Sequence, residues 1–220
     1  MRNGLFITFE GGEGSGKSTQ IQLFASYLQQ QNYDVILTRE PGGTAVGKEI
    51  RRLLVEGDKD KFDEVTETLL FYADRRINLT QVIWPNVKAG KIVLSDRFND
   101  STIAYQYYGS AKFKDTQIMD KLYNVVAGDF KPDITFLLDI DVKEGLSRSF
   151  KKAAAMNTQE LRFEKTAIDF HERLRNGYKK KKKKEPNRFI VIDAAQNIEL
   201  VHQEIITAFK QKIPNNKSKG

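Results

Sequence analysis

The run Gly11-Gly12-Glu13-Gly14-Ser15-Gly16-Lys17-Ser18 constrains this chain more than any other stretch. It fits G-x-x-x-x-G-K-[ST], a loop whose backbone N–H groups curl around an anion. Leu5-Phe6-Ile7-Thr8-Phe9 precedes it and reads as a buried strand, while Thr19-Gln20-Ile21-Gln22-Leu23-Phe24 follows it and opens a helical pattern. Strand, glycine loop and helix in that order aim N–H groups and the positive end of a helix at one point, which suits a polyphosphate. Gly11, Gly12, Gly14 and Gly16 permit the curl. In such a loop the lysine, here Lys17, reaches the β- and γ-phosphates, and the hydroxyl of Ser18 ligates Mg²⁺. The expected polyphosphate-binding stretch is therefore Gly11, Gly12, Glu13, Gly14, Ser15, Gly16, Lys17, Ser18 and Thr19. A glycine-rich strand-to-helix turn without a ligand is the plain alternative.

The 220 residues suffice for one domain, with room for an inserted lid. The chain has no cysteine, so it forms no disulfide and no zinc site with sulfur ligands. The first strand begins almost at Met1, with no leader pattern before it, and no apolar run is long enough to span a bilayer. Together these features predict a soluble cytoplasmic protein without a membrane partner. The net charge of +7 would suit nucleic acid, but removing the six charges of Lys179 to Lys184 leaves +1. A lysine run without interleaved aromatics reads as a solvated face or a mobile tract, so no nucleic-acid partner is expected.

Short apolar runs alternate with helical patterns along the chain. Further strands are expected at 34–38, 91–95, 133–138 and 188–192. A helix face shows at Ile50, Leu53 and Leu54; a longer helical region runs from Glu64 to Ile83 and ends near Pro85. More helices are expected around 118–126, from Val142 to Phe150, from Leu161 to Lys182 and from Glu199 to Lys212. Ala153 to Gln159 is a small, polar passage between two of them. This alternation predicts an α/β fold with a five-stranded parallel sheet covered on both faces, as in P-loop nucleotide-binding proteins. One domain over 1–213 is expected, with a lid at about 151–163 and a flexible tail at 214–220.

Ligands of open α/β sheets bind at the carboxyl ends of strands. Arg39 ends the second strand within Thr38-Arg39-Glu40-Pro41-Gly42-Gly43-Thr44, and its planar fork suits phosphate. Ser95-Asp96-Arg97-Phe98 ends the third strand; Asp96 there can hold Mg²⁺ or its waters, and Arg97 adds positive charge. A surface arginine and a structural salt bridge are the bland readings of the two places.

These pieces, with Leu70-Phe71-Tyr72-Ala73-Asp74-Arg75, Ser101, Ala104-Tyr105-Gln106 and Gly145-Leu146-Ser147-Arg148, resemble a thymidylate kinase of the bacterial type, in the nucleoside monophosphate kinase group. The resemblance runs from Phe6 to about Asp193, nearly the whole chain. The phosphate loop is generic, whereas Arg39-Glu40-Pro41-Gly42-Gly43-Thr44 and the Ser101, Ala104-Tyr105-Gln106 pattern are far more specific. It implies transfer of the ATP γ-phosphate to dTMP, giving dTDP and ADP on the way to dTTP, with Mg²⁺ and in a homodimer. It implies that Phe71 stacks on thymine, that Arg75 donates to a thymine carbonyl and that Gln106 pairs with the polar edge of the base. It places Arg39, Pro41, Arg97 and Ser101 around the acceptor, Tyr105 near the sugar, Glu13 toward the 3′-hydroxyl side of the acceptor, and Arg148 against the donor adenine. Lys17, Asp96, Arg97 and a lid cation would be catalytic.

The match is weakest in the lid. The phosphate loop has no arginine, so the lid should supply one; Arg162 is the first choice, with Lys151 and Lys152 as alternatives. Phe98 stands where the family usually has Tyr or His, and Tyr107-Tyr108-Gly109-Ser110 stands where it usually has small residues and an arginine. Three other readings stay open from sequence: a deoxynucleoside kinase, a nucleotide-dependent switch or nucleic-acid-binding ATPase, and a P-loop nucleotide-binding protein with impaired catalysis.

Overall fold

Five parallel strands carry the fold: β1 (Leu5–Glu10), β2 (Val35–Arg39), β3 (Ile92–Asp96), β4 (Ile134–Asp139) and β5 (Phe189–Asp193). Their spatial order in the computed structural model, which describes residues 4–58, 61–113, 115–156, 163–164 and 166–213, is β2-β3-β1-β4-β5. Among the described residues the helices are α1 (Lys17–Gln30), α2 (Ala45–Val55), α3 (Glu64–Asn78), α4 (Trp84–Lys88), α5 (Asn99–Thr102), α6 (Gln117–Ala127), α7 (Val142–Met156), α8 (Ile168–Lys184) and α9 (Ile198–Lys212). Two π-helical turns, Leu79–Ile83 and Ile103–Gly109, interrupt this pattern. No described helix is long and apolar enough to cross a membrane.

Side chains alternate across the sheet because the strand period is two. Ile7, Phe9, Leu94, Phe136 and Leu138 face α1 and α9, where Ile21, Phe24, Leu28, Ile205 and Phe209 close the core. Fully burying each such side chain stabilises by about 1.5–3 kcal/mol. Phe6 and Val93 point the other way, toward Leu79, Ile83, Val87 and Phe98. On that second face Thr8 and Thr135 share a hydroxyl hydrogen bond of 2.8 Å. Strands buried on both faces explain the nearly continuous apolar runs in the sequence.

The observed strands β2 to β5 each start one residue later than the sequence pattern suggests. The residues displaced from the strands serve as anchors: Asp34 accepts from the Ile92 N–H, and Asp133 Oδ2 accepts from the Phe6 N–H at 2.7 Å. The helical region expected to end near Pro85 continues to Lys88. Pro85 has no N–H and would clash with the carbonyl four residues back. The preceding π turn relieves this, with the Trp84 N–H bonded to Leu79 O and Asn86 Nδ2 donating to Val82 O at 2.7 Å.

Two expectations near the lid are corrected. Ala153 to Met156 is helical, the last turn of α7, as its alanines favour. The helix expected from Leu161 begins only at Ile168. Phe163 instead turns inward and packs edge-on against Tyr105 at 5.4 Å. Residues 157–162, among them Arg162, and the tail 214–220 lie outside the described residues.

Ile103–Gly109 packs closely on α8. A Cβ on Gly109 would stand 2.7 Å from the Phe170 ring, and one on Gly177 would stand 2.5 Å from Tyr108, so both approaches need glycine. The lysine run ends α8, where cations suit the helix dipole. Part of it is tied down: Lys179 lies 3.6 Å from Asp139, Lys181 lies 3.6 Å from Asp100, and Lys180 sits over the Tyr108 ring at 5.1 Å.

Candidate active site

β1 and β3 are neighbours, and the chain leaving them passes to opposite faces of the sheet. α1 goes to one face and the Asn99–Gly109 segment to the other. A crevice opens where they part, at the carboxyl ends of the strands.

The phosphate loop forms one wall. Gly14 has φ 66°, and a Cβ there would stand 1.9 Å from Gly145 O. Gly145 in turn could carry no Cβ, which would meet Glu13 O at 2.4 Å. The loop is thus pressed onto α7 through two glycines, which gives Gly145 a packing role the sequence did not reveal. Ser15 Oγ donates to Gly12 O at 2.9 Å and braces the curl. Gly16 caps α1 with φ 85° and offers no side chain to the first-turn N–H groups. Lys17 folds back over the loop and donates to Gly12 O at 2.7 Å, to Gly11 O at 3.1 Å and to Ser15 Oγ at 3.1 Å. Burial, with Arg97 close by, lowers its ammonium to about 8 against the pull of Glu13, Asp96 and Glu10.

Ser18 Oγ donates to Asp96 Oδ2 at 3.0 Å, so the two candidate Mg²⁺ ligands meet. One residue on, Arg97 takes the left-handed conformation with φ 71°, which an L-residue seldom adopts. Its N–H donates to Phe9 O at 3.0 Å and its carbonyl accepts from Ser95 Oγ at 2.7 Å. This fixed backbone sends the guanidinium back over the loop, where it donates to Gly11 O at 3.0 Å and to Glu13 Oε2 at 3.2 Å. Tyr105 lies beneath it, its ring 4.8 Å from the guanidinium carbon and its hydroxyl donating to Glu13 Oε1. Burial alone would raise the Glu13 carboxyl; Arg97 and Lys17 outweigh it and hold the group below the usual glutamate value. Glu13 is therefore turned toward Arg97 and Tyr105, away from the curl of the loop.

Beneath these groups lies Glu10, which the sequence reading did not single out. Its oxygens accept from the Phe98 N–H at 2.9 Å, from Ser101 Oγ at 2.5 Å and from the Tyr178 hydroxyl at 3.2 Å. Burial, with Asp100 near, raises its carboxyl to about 8. Ser101 also accepts from Arg97 at 3.2 Å, so the hydroxyl couples the buried carboxyl to the cation above it.

The opposite wall comes from α3. Arg75 is only 1% exposed. It donates to Glu40 Oε2 at 2.8 Å, to Asn99 Oδ1 at 3.1 Å and to Thr102 Oγ1 at 2.9 Å, with Phe98 stacked at 4.9 Å. Phe98 is buried against Phe6, Tyr123 and this guanidinium, so its apolar ring serves packing. Asp74 holds the chain after β2 by accepting from the Gly42 N–H at 3.0 Å; burial pushes its carboxyl up to about 6. The burial of Glu40 and Asp74 could not be read from the sequence, because a carboxylate after a strand or in a helix carries no signal of it.

One cavity of about 540 Å³ joins these walls. Its lining includes Glu13 to Thr19, Arg39, Pro41, Phe71, Arg75, Asp96, Arg97, Ser101, Tyr105, Gln106 and Arg148, so nearly every residue singled out from sequence meets there. Gly11 and Gly12, at the start of the loop, face away from this cavity toward Leu138 and Leu174, and Lys152, Phe163 and Glu164 line the cavity from the lid side. Arg148 sits at one end, donating to Ala194 O at 2.8 Å and Ala195 O at 3.3 Å.

A family model described as thymidylate kinase matches residues 9–205. A thymidylate kinase of Desulfovibrio desulfuricans is 45% identical over 194 residues, covering 87% of this chain and 88% of that protein. One of a Sulfurihydrogenibium species is 42% identical over 209 residues, covering 95% of this chain and 98% of that protein. The crystal structure of thymidylate kinase from Ehrlichia chaffeensis superposes with a TM-score of 0.75 at 38% identity, covering 94% of this chain and 99% of that one. With a phosphate loop and an aromatic, arginine-lined recess opening on one cavity, and with matches of this depth along nearly its whole length, the chain belongs to the thymidylate kinase family.

Proposed function

We propose that the protein transfers the γ-phosphate of ATP to dTMP, giving dTDP and ADP. The observation that supports this is the single cavity with a polyphosphate loop at one side and Phe71, Arg75 and Gln106 at the other. In this reading Phe71 stacks on thymine, Arg75 donates to a base carbonyl and Gln106 reads the polar edge. Arg39 and Pro41 hold the acceptor phosphate, with Arg97 and Ser101 beside it. Tyr105 packs near the sugar and Glu13 faces its 3′ side. Arg148 lies flat against the adenine of ATP.

An oxygen of the dTMP phosphate attacks the γ-phosphorus in line, and the bond from that phosphorus to the β,γ-bridging oxygen breaks as ADP leaves. The acceptor is an anion at neutral pH, so no general base is needed. Catalysis is alignment and neutralisation of charge on the moving phosphoryl. Lys17 exchanges its bonds to the loop carbonyls for the phosphates, and Arg97 adds a second cation. Arg162 is proposed as the lid cation, within a lid at about 151–163 of one domain spanning 1–213; Lys152 is the described basic residue of that stretch at the cavity.

The donor set fits Mg²⁺. Ser18 Oγ and Asp96 Oδ2 are hard oxygen donors 3.0 Å apart, and no cluster of three His, Cys, Asp or Glu exists among the described residues. Such a site leaves most positions to water and phosphate oxygens, as Mg²⁺ prefers. When bound, the ion would neutralise charge on the donor phosphates, and Ser18 and Asp96 are the residues that would hold it.

A homodimer is part of this reading. Val46 and Leu53 on α2, Val65 and Leu69 on α3 and Val125 on α6 are exposed apolar residues on neighbouring helices, and a second copy would cover them.

Release of ADP, followed by a coupled assay with ATP and Mg²⁺, tests the proposal. The acceptors are dTMP, dUMP, dCMP, dGMP, thymidine and none. Turnover led by dTMP is expected. Turnover with thymidine alone would make the protein a nucleoside kinase, and turnover without acceptor a hydrolase. Nucleotide binding with no turnover would leave a binding protein.

A further inference from the structure

Glu67, Phe71 and Arg75 stand at four-residue spacing on α3 and so share one helix face. Phe71 and Arg75 line the cavity. Glu67 does not, yet it touches the residue that faces them: Glu67 Oε1 accepts from Gln106 Nε2 at 3.0 Å. Gln106 is 3% exposed, lines the cavity from the middle of the Ile103–Gly109 π turn, and its Oε1 has no partner.

A side-chain amide is ambivalent. Turned by half a rotation, it offers N–H donors where it had offered a carbonyl. A carboxylate offers acceptors only, so Glu67 draws the amino end of Gln106 toward itself and leaves the carbonyl as the group the cavity receives. The reverse orientation would set the Gln106 carbonyl against the carboxylate. We propose that Glu67 is a positioning residue for base selection, holding Gln106 in the orientation that accepts an N–H from the base. The inference rests on dTMP being the acceptor and adds to that reading the device that fixes its polarity.

Arg75 supplies the complementary half. Its Nε, Nη1 and Nη2 each donate one bond to protein, which leaves one N–H on each terminal nitrogen. A donor from Arg75 beside an acceptor from Gln106 matches the thymine edge, where a carbonyl adjoins the N3–H. Cytosine presents the opposite order, an amino group beside a bare ring nitrogen. In a buried site the mismatch leaves groups unpaired on both sides, which is a strong ground for rejection.

The test compares the full-length wild type with Glu67→Gln and Glu67→Ala, measuring kcat/KM for dTMP and dCMP and Kd for ATP. In Glu67→Gln residue 67 can accept or donate, and in Glu67→Ala it does neither, so Gln106 is released in both. The expected result is a dTMP kcat/KM about tenfold lower, mainly through KM, with dCMP unchanged or improved. The dTMP-to-dCMP ratio then narrows at least tenfold while ATP affinity holds. A variant that loses dTMP and dCMP activity together, or keeps the wild-type ratio, overturns the proposal. A wild type without preference for dTMP over dCMP overturns the substrate reading itself, and this proposal with it.

Discussion

Gly47→Ala is a substitution on which helix propensity and site packing disagree in sign. Gly47 lies in the first turn of α2 with an ordinary backbone, so propensity alone predicts a gain of up to about 1 kcal/mol. The added Cβ would meet Asp74 Oδ1 at 2.5 Å and Thr44 Oγ1 at 3.0 Å. Both oxygens are engaged. Thr44 Oγ1 caps α2 by accepting from the Gly47 N–H at 2.9 Å, and Asp74 Oδ1 accepts from the Gly42 N–H at 3.0 Å. Losing such a cap costs about 1 kcal/mol. Leaving a buried N–H unpaired costs about 2 kcal/mol. The net expectation is a loss of about 2 kcal/mol, or a Tm lower by about 4–8 °C for a chain of this size. Gly42 follows Arg39 and Pro41, so the KM for dTMP should rise while ATP affinity stays. Thermal melting followed by dTMP titration decides it. An unchanged or higher Tm would show that the Asp74 carboxylate yields without cost, and would refute the view that it fixes this loop.

Three further outcomes are expected. Phe71→Ala should raise the KM for dTMP about 5- to 150-fold, the worth of one base–aromatic stack, with the KM for ATP unchanged; equal loss on both substrates would place Phe71 in packing alone. Lys17→Ala should lower kcat about 10²- to 10³-fold in the coupled assay, and near-normal turnover would remove the loop from the mechanism. Burial raises Asp74 from 3.8 to about 6, so its neutral form favours the fold at low pH, and that contribution is lost as pH rises from about 4 through about 6. Asp74→Asn carries no such charge, so its Tm relative to wild type should improve between pH 5 and pH 8; a constant difference would contradict the assignment.

The strand runs and the phosphate loop were legible because each is a local pattern: buried strands read as unbroken apolar runs, and Gly11 to Ser18 is contiguous. Arg39, Asp96 and Arg97 were legible from topology, since strand ends face the crevice. Glu10, Glu40 and Tyr178 were not. Their part depends on burial and on partners as far away in sequence as the 168 residues between Glu10 and Tyr178. Glu67 could have been found, because it repeats the four-residue spacing of Phe71 and Arg75. The start of α8 was misjudged because Phe163 keeps the apolar rhythm of the helix while its side chain is spent on Tyr105. Neither π turn has a periodic signature; each is set by what it packs against, Pro85 in one case and α8 in the other.

The turn at Ile103–Gly109 holds more backbone per revolution than an α-helix. Its seven residues turn through about the same angle as six in an α-helix. Deleting one residue before Gln106 would therefore let the backbone return to ordinary helical geometry with both flanks in register, and the change would fall inside the turn. Gln106 sits there and would be re-aimed, while Gly109 at the end would keep its approach to Phe170. The residue count of this stretch is itself a specificity element.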